Sequence, residues 1–97
     1  MLDIQKILTV STIHISENTS NLLDIESDQN KLGICVYNKA EFGWFIVIDE
    51  NTISAAKDNK LPLDLANLIL FAYDTDCKWL CIDCDGDEIP YLTKYER

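Results

Sequence analysis

Residues 33–48, GICVYNKAEFGWFIVI, hold the two clearest strands of the chain and the turn between them. The runs 33–37 and 44–48 are rich in β-branched and aromatic residues, which favour strands. The polar link between them is too short for a crossover, and Gly43 can supply a positive φ if the turn needs one. This stretch therefore predicts an antiparallel hairpin. The apolar run 45–48 further predicts a central strand or one that carries a partner surface.

The rest of the chain supplies two strands and two helices around this hairpin. Ser16 is a suitable N-cap for one helix, and Pro62 suits the first turn of another, whose apolar residues recur with helical spacing. Residues 49–60 are polar and weakly patterned, so we expect a loop there with one turn at 53–56. The predicted elements outside the hairpin are a strand over 6–11, a helix over 17–26, a helix over 63–73 and a strand over 78–84.

The order β-α-β-β-α-β predicts an α+β fold, with two helices on one face of a four-stranded, mainly antiparallel sheet. This is the split βαβ arrangement of ferredoxin-like folds. Right-handed crossovers should bring the first and last strands together near the centre of the sheet. Hydrophobic residues make up 47% of the 97-residue chain and charged residues 26%, which predicts a single globular domain over 1–97.

The sequence shows no run of about 18 apolar residues and no basic segment followed by an apolar one at its start. We therefore expect a cytoplasmic protein that has no membrane partner. In a reducing compartment thiols stay free, and cysteine is often buried as a small apolar residue. Free, mostly buried thiols are accordingly expected at Cys35, Cys77, Cys81 and Cys84.

Residues 73–88, YDTDCKWLCIDCDGDE, are the most acidic part of a chain with 17 Asp and Glu, 8 Lys and Arg, and net charge −9. Such a surface repels nucleic acid and anionic membrane and attracts basic proteins. We predict that these carboxylates face a larger protein with a basic surface, beside an exposed apolar anchor. The candidate binding residues are Asp74, Asp76, Asp83, Asp85, Asp87, Glu88, Phe42 and Trp44.

Metal sites are not predicted. Cys81 and Cys84 fall in one predicted strand, where residues three apart point to opposite faces and cannot share a zinc ion. The acidic residues 83–88 do not match a calcium-binding EF-hand loop, because Gly86 is fourth rather than sixth and the twelfth residue is Lys94. A loosely held Mg²⁺ or Ca²⁺ ion at this acidic stretch stays an open alternative.

Catalytic motifs are equally absent from the sequence. His14 is the single histidine, and although Ser11 and Thr12 are close in sequence, nothing supplies the third, orienting group of a nucleophile–base pair. The chain also lacks a phosphate-binding glycine loop. We therefore predict no enzymatic activity and no cofactor.

An aromatic cluster surrounds the hairpin, and its role has two interpretations. The side chains could pack within the core and across strands, or they could form an exposed aromatic patch ringed by acids, which is typical of protein-binding hot spots. Within this cluster Trp44 is the best candidate for an exposed anchor, because it follows the predicted turn. The cluster comprises Tyr37, Phe42, Trp44, Phe45 and Trp79.

Four groups of residues together resemble a known family. They are Ser11, Thr12, His14 and Ile15 near the start; Gly43 and Trp44 in the hairpin; Cys77, Trp79, Leu80, Ile82, Asp83, Asp85, Gly86, Asp87 and Glu88 in the acidic run; and Leu92, Tyr95 and Glu96 in the tail. The pattern is similar to that of small uncharacterised bacterial and mobile-element proteins, known as a domain of unknown function. The resemblance implies no activity, and its pattern does not require Cys81 or Cys84.

Three functions are compatible with these observations. The favoured one is a protein-interaction module, for example a phage or mobile-element protein that inhibits a nucleic-acid-processing host protein by mimicking phosphate charge. An antitoxin or immunity protein would share the same size and charge. A small metal-dependent hydrolase would instead use His14 together with the acids of residues 83–88. The apolar strand 45–48 could also pair across a dimer axis, so a homodimer is an open alternative.

Overall fold

The computed structural model of the protein describes residues 2–95. Within that range it contains four strands, three α-helices and one turn of 3-10 helix. No helix among the described residues has both the length and the apolar character to cross a membrane. The elements are β1 (Ile7–Ser11), the 3-10 turn (Thr12–His14), α1 (Glu17–Gln29), β2 (Val36–Lys39), β3 (Gly43–Val47), α2 (Glu50–Lys57), α3 (Leu63–Asp74) and β4 (Trp79–Asp83).

The α+β class is confirmed, but the sheet is mixed rather than ferredoxin-like. Its strand order is β1-β4-β3-β2. β4 is parallel to β1 and antiparallel to β3, and β2 is antiparallel to β3. The first and last strands are neighbours, as predicted, but β1 lies at an edge and not near the centre.

The helix α2, over Glu50–Lys57, explains this difference, and the predicted loop at 49–60 was wrong. A single helix between two strands returns the chain so that the second strand runs parallel to the first. Two consecutive helices, α2 and α3, reverse that direction, so β4 runs antiparallel to β3 and pairs directly with it.

Local capping starts α2 although its sequence favours a helix weakly. The Asp49 side chain accepts a hydrogen bond from the backbone N–H of Thr52 at 2.9 Å, which satisfies one free donor of the first turn. Thr52 also donates its hydroxyl to the carbonyl of Val47 at 2.8 Å, and Ala55 and Ala56 are buried. The helix depends on this packing more than on helix propensity.

The predicted hairpin is confirmed, with a register that pairs Tyr37 with Phe45 and Lys39 with Gly43. Gly43 has a φ of 156°, and a Cβ atom at this position would lie 1.8 Å from the carbonyl oxygen of Ile82. Only glycine permits β3 to approach β4 this closely.

The helices cover one face of the sheet and leave the other without a helical layer. On the covered face alternate strand residues are buried against helix residues such as Leu65 and Ile69, both fully buried. The opposite face contains partly or largely exposed apolar residues at the alternate positions. The strand residues buried on the covered face are Val10, Val36, Trp44, Ile46, Leu80 and Ile82.

Candidate functional site

The acidic run does not form one continuous surface, because β4 divides it. Asp74 and Asp76 precede β4, and the acids from Asp83 to Glu88 follow it or close it. The five residues of β4 span about 16 Å at a rise of about 3.3 Å per residue. The predicted binding residues therefore lie at two opposite ends of the sheet.

Asp83 is buried and ion-paired, so its predicted outward display was wrong. Its carboxylate accepts a hydrogen bond from the Lys39 ammonium and a second from the backbone N–H of Asp85 at 2.8 Å. The hydrogen bond from Lys39 is the main reason that the pKa of the Asp83 carboxyl lies below its ordinary value. The same bond raises the pKa of Lys39.

Cys81 lies beside this ion pair on the face that the helices leave open. The Lys39 ammonium nitrogen is 3.8 Å from its sulfur, yet burial is the largest influence and raises the pKa of the Cys81 thiol. A raised pKa keeps the sulfur protonated near neutral pH, so it is a poor nucleophile and a poor metal ligand. All four cysteines are free, with Cys77 and Cys81 buried, Cys35 partly buried and Cys84 exposed.

One group of metal-ligating atoms occurs among the described residues. Three ligand atoms lie within 4.8 Å of one another, one each from Asp83, Cys84 and Asp85. Lys39 already neutralises Asp83, and desolvation, Asp85 and Asp83 raise the pKa of the Cys84 thiol. Asp83 is already ion-paired, and the raised pKa keeps Cys84 a neutral thiol, so both would bind a cation poorly. We therefore assign no metal site here.

Trp44 is not the exposed anchor that the sequence predicts. Its side chain is 8% exposed in the helix-covered core, and its indole N–H donates to the Asp24 carboxylate at 2.9 Å. Alternation along β3 places Trp44 on the same face as buried Ile46. Phe42, in the turn before β3, is 44% exposed and keeps its predicted position at the surface.

The end of the sheet at which β4 finishes carries exposed carboxylates around Phe42. The main chain fixes the arrangement, because the N–H of Cys84 donates to the carbonyl of Phe42 at 2.8 Å. A groove of about 410 Å³ lies beside it, lined in part by Phe42, Trp44 and Thr12. We call this surface the acidic end; it comprises Glu41, Phe42, Asp85, Asp87 and Glu88, all of which are exposed.

His14 holds the C-terminal tail beside the acidic end. It is 2% exposed, and its Nε2 accepts a hydrogen bond from the backbone N–H of Ile89 at 2.9 Å. The proton of a neutral ring is then on Nδ1, which donates to the carbonyl of Thr93 at 2.9 Å. Both ring nitrogens are engaged, so neither is free to act as a base or bind a metal in this conformation.

The motif residues at the start of the chain and those near its end form one structural unit. The N–H of Ser11 donates to the carbonyl of Asp87 at 3.0 Å, and the N–H of Tyr95 donates to the carbonyl of Ile13 at 2.8 Å. Gly86 packs so closely on β1 that a Cβ atom would lie 2.5 Å from the carbonyl oxygen of Val10. The family resemblance at these positions thus has a structural explanation. Glu96 lies outside the described residues.

Other acids in the interior also have structural roles. Asp64 accepts hydrogen bonds from the N–H of Ser16 and the hydroxyl of Thr19, both at 2.8 Å, which joins α3 to the start of α1. Glu26 accepts from the N–H groups of Lys31 and Leu32, both at 2.9 Å. Across residues 2–95, every buried side-chain nitrogen or oxygen has a hydrogen-bond partner.

An aromatic groove lies on the open face of the sheet. The ring centroid of Trp79 is 6.1 Å from that of Tyr37 and 6.4 Å from that of Phe45, the latter in an edge-to-face arrangement. The indole N–H of Trp79 donates to the side-chain carbonyl of Gln5 at 2.7 Å. With Ile7 these residues line a groove of about 520 Å³. Three members of the predicted aromatic cluster therefore form a patch, and Phe42 and Trp44 lie elsewhere.

Sequence reasoning missed Glu41 at the acidic end and Ile7 and Gln5 at the groove. For Ile7 the available signal was alternation, because alternate residues along a strand share one face. Gln5 and Glu41 lie outside the strands, so alternation does not place them. Which residues of neighbouring strands lie side by side depends on the order of the strands in the sheet, and the sequence alone predicted a different order.

Comparison with known proteins identifies a family without a described activity. The sequence profile of a family of unknown function, the C-terminal domain of DUF5983, matches residues 7–97. No curated protein and no solved structure gives a significant match. The match covers nearly the whole chain, so the protein belongs to the DUF5983 C-terminal domain family.

Proposed function

We propose that this protein is an interaction module that binds a basic surface of a larger protein through its acidic end. The observation that carries the proposal is the grouping of exposed carboxylates around an exposed aromatic ring at one end of the sheet. Carboxylates steer a basic partner into contact, and a partly exposed Phe42 can supply the apolar anchor of the interface.

Charge pairing within the acidic end supports this choice. The Lys39 ammonium forms an ion pair with buried Asp83. The Nζ atom of Lys94 lies 3.4 Å from the carboxylate oxygen Oε1 of Glu88. The exposed carboxylates of Glu41, Asp85 and Asp87 have no ion pair among the described residues. The acidic end therefore has a net negative charge that its own lysines do not cancel.

The partner class that we propose is a nucleic-acid-processing protein, inhibited because carboxylates occupy its phosphate-binding surface. Such surfaces are rich in Arg and Lys and attract anions strongly at low salt. The chain would then be a cytoplasmic protein, in keeping with its four free thiols. A phage or mobile-element origin and an antitoxin or immunity role remain predictions from the sequence.

Two double variants with equal charge change test which end of the sheet binds. Asp85→Asn with Asp87→Asn removes two charges from the acidic end. Asp74→Asn with Asp76→Asn removes two charges from the opposite end, and asparagine tolerates the φ of 65° at position 76. The immobilised proteins are exposed to a lysate of the source cells at low and high salt, and retained proteins are quantified by mass spectrometry.

The expected result is a basic partner that wild type retains at low salt and releases at high salt. The amount of partner retained should fall at least about tenfold in the acidic-end variant and stay at the wild-type level in the opposite-end variant. Equal loss in both variants would indicate attraction by net charge alone. That outcome, or the absence of any salt-sensitive partner, would contradict the proposal.

A further inference from the structure

We infer that the open face of the sheet is a self-association surface, on which a second copy of this chain packs face to face. The inference does not depend on the proposed function, because it concerns a different surface. Ile7 and Tyr37 are 47% and 54% exposed there, which is unusual for large apolar residues within strands. They surround the partly buried rings of Phe45 and Trp79.

Charge selects a second copy as the occupant. Each chain has net charge −9, so copies repel one another over most of their surface. The strand residues of the open face include one base and one acid, Lys39 and Asp83, and these form an ion pair with each other. The open face is thus a neutral region of an acidic protein, where two identical copies can meet without like-charge contacts. A basic partner, in contrast, would gain no electrostatic attraction there.

The geometry of the face also suits a symmetric pair. In an interface with a twofold axis the same patch occupies both sides, so aromatic groove meets aromatic groove. Edge-to-face ring contacts already occur within the patch, between Phe45 and Trp79. Rings from two copies can extend this packing, since aromatic pairs favour offset or edge-to-face contacts.

The size of the face predicts a weak dimer. Four strands about 4.8 Å apart and four or five residues long give a face of about 19 Å by 16 Å, roughly 300 Å² in projection. Stable complexes bury about 800 Å² per partner, so this face falls below that size. We therefore expect dissociation in the upper micromolar range rather than a permanent dimer.

Sedimentation velocity of the full chain tests the inference, from about 10 µM to about 1 mM. Wild type should shift with concentration from the 11.1 kDa monomer towards twice that mass. Acrylamide should quench the fluorescence of Trp79 less efficiently over the same range, because the second copy covers its indole ring. Trp44 is already buried and contributes a constant background.

A pair of matched variants locates the interface. Ile7→Lys places a charge on the open face, and Ile25→Lys places the same charge on α1 at a residue with the same 47% exposure. Twofold symmetry introduces each charge twice, so Ile7→Lys should raise the dimer dissociation constant at least about tenfold. Ile25→Lys should leave it unchanged.

A second pair protects the test against a folding defect in one variant. Tyr37→Lys lies on the open face and Tyr73→Lys lies on α3, with 54% and 49% exposure in wild type. The first should dissociate the dimer and the second should not. A wild-type monomer over the whole concentration range, or equal effects within both pairs, would overturn the inference.

Salt distinguishes this surface from the acidic end. Screening weakens attraction between an acidic surface and a basic partner, but it also weakens repulsion between two acidic copies. Added salt should therefore strengthen the dimer while it releases the partner of the proposed function. A dimer that dissociates with salt would contradict packing through the neutral open face.

Discussion

Both ends of the sheet carry acidic residues, but the two ends differ in how their charges are arranged. At the end where β4 begins, Asp74 and Asp76 are exposed near Lys78, and the ammonium of Lys6 donates to the carbonyl of Thr75 at 2.8 Å. At the acidic end, both lysines are paired with carboxylates, and other carboxylates remain exposed around Phe42. The acidic end thus has more exposed carboxylates than lysines, and its two lysines are already paired.

Several contacts hold the backbone of the acidic end in place. Backbone hydrogen bonds, His14 and a close contact at Gly86 tie residues 85–95 to the end of β1. A fixed backbone presents side chains at lower entropic cost when a partner binds. The following predictions test these contacts against residues elsewhere in the molecule, from the largest expected effect to the smallest.

Gly86→Ala should cause the largest loss of stability. Its Cβ atom would lie 2.5 Å from the carbonyl oxygen of Val10, so the loop or β1 has to move. We expect unfolding free energy to fall by about 3 kcal/mol, as for other overpacked sites. Gly33→Ala is the control, because its Cβ atom meets nothing within 4 Å and only its φ of 75° is unfavourable, at about 1 kcal/mol. Urea unfolding measures both, and equal losses would contradict the close packing.

His14→Ala should have the next largest effect. It removes two hydrogen bonds and leaves the N–H of Ile89 without its partner, which should cost about 2 kcal/mol in urea unfolding. Amide exchange at Ile89 and Tyr95 should accelerate while exchange in α3 is nearly unchanged. Lys6→Ala, at the opposite end, should change stability by less than about 0.5 kcal/mol. Unchanged tail exchange in His14→Ala would show that this residue does not hold the tail.

The Lys39–Asp83 pair should give a smaller, pH-dependent effect. The lowered pKa of Asp83 means that its contribution is present above the ordinary aspartate pKa and is lost as pH falls below about 4. The raised pKa of Lys39 means that its contribution is present below the ordinary lysine pKa and is lost as pH rises above about 10.5.

Lys39→Met should flatten the stability profile at both extremes, as measured by urea midpoints from acid to alkaline pH. Lys78→Met serves as the control at the opposite end and should keep the wild-type profile. A wild-type profile in Lys39→Met would mean that the pair does not couple protonation to folding.

Residue spacing and capping residues in the sequence predicted three elements of the fold correctly. The hairpin, the helix after Pro62 and the helix capped by Ser16 are all present, although the last extends to Gln29. The helix over Glu50–Lys57 was missed, because its stability comes from packing against α3 and from a cap at Asp49. That single omission reversed the direction expected for β4 and so changed the predicted topology.

The candidate site was predictable only in composition. Exposed acids at 85–88 and exposed Phe42 agree with the sequence interpretation. The burial of Asp83 and Trp44 depends on the register across the sheet, which brings Lys39 beside Asp83 and directs Trp44 towards Asp24. Such long-range pairings leave no trace in local periodicity.

Site-specific photo-cross-linking tests the central claim most directly. A benzophenone amino acid replaces Phe42 at the acidic end or Tyr73 near the opposite end, two aromatic positions with 44% and 49% exposure. After irradiation in a lysate of the source cells at low salt, position 42 should yield a discrete adduct with a basic protein, and position 73 should not. Equal adducts at both positions, or an adduct at position 73 alone, would contradict recognition through the acidic end.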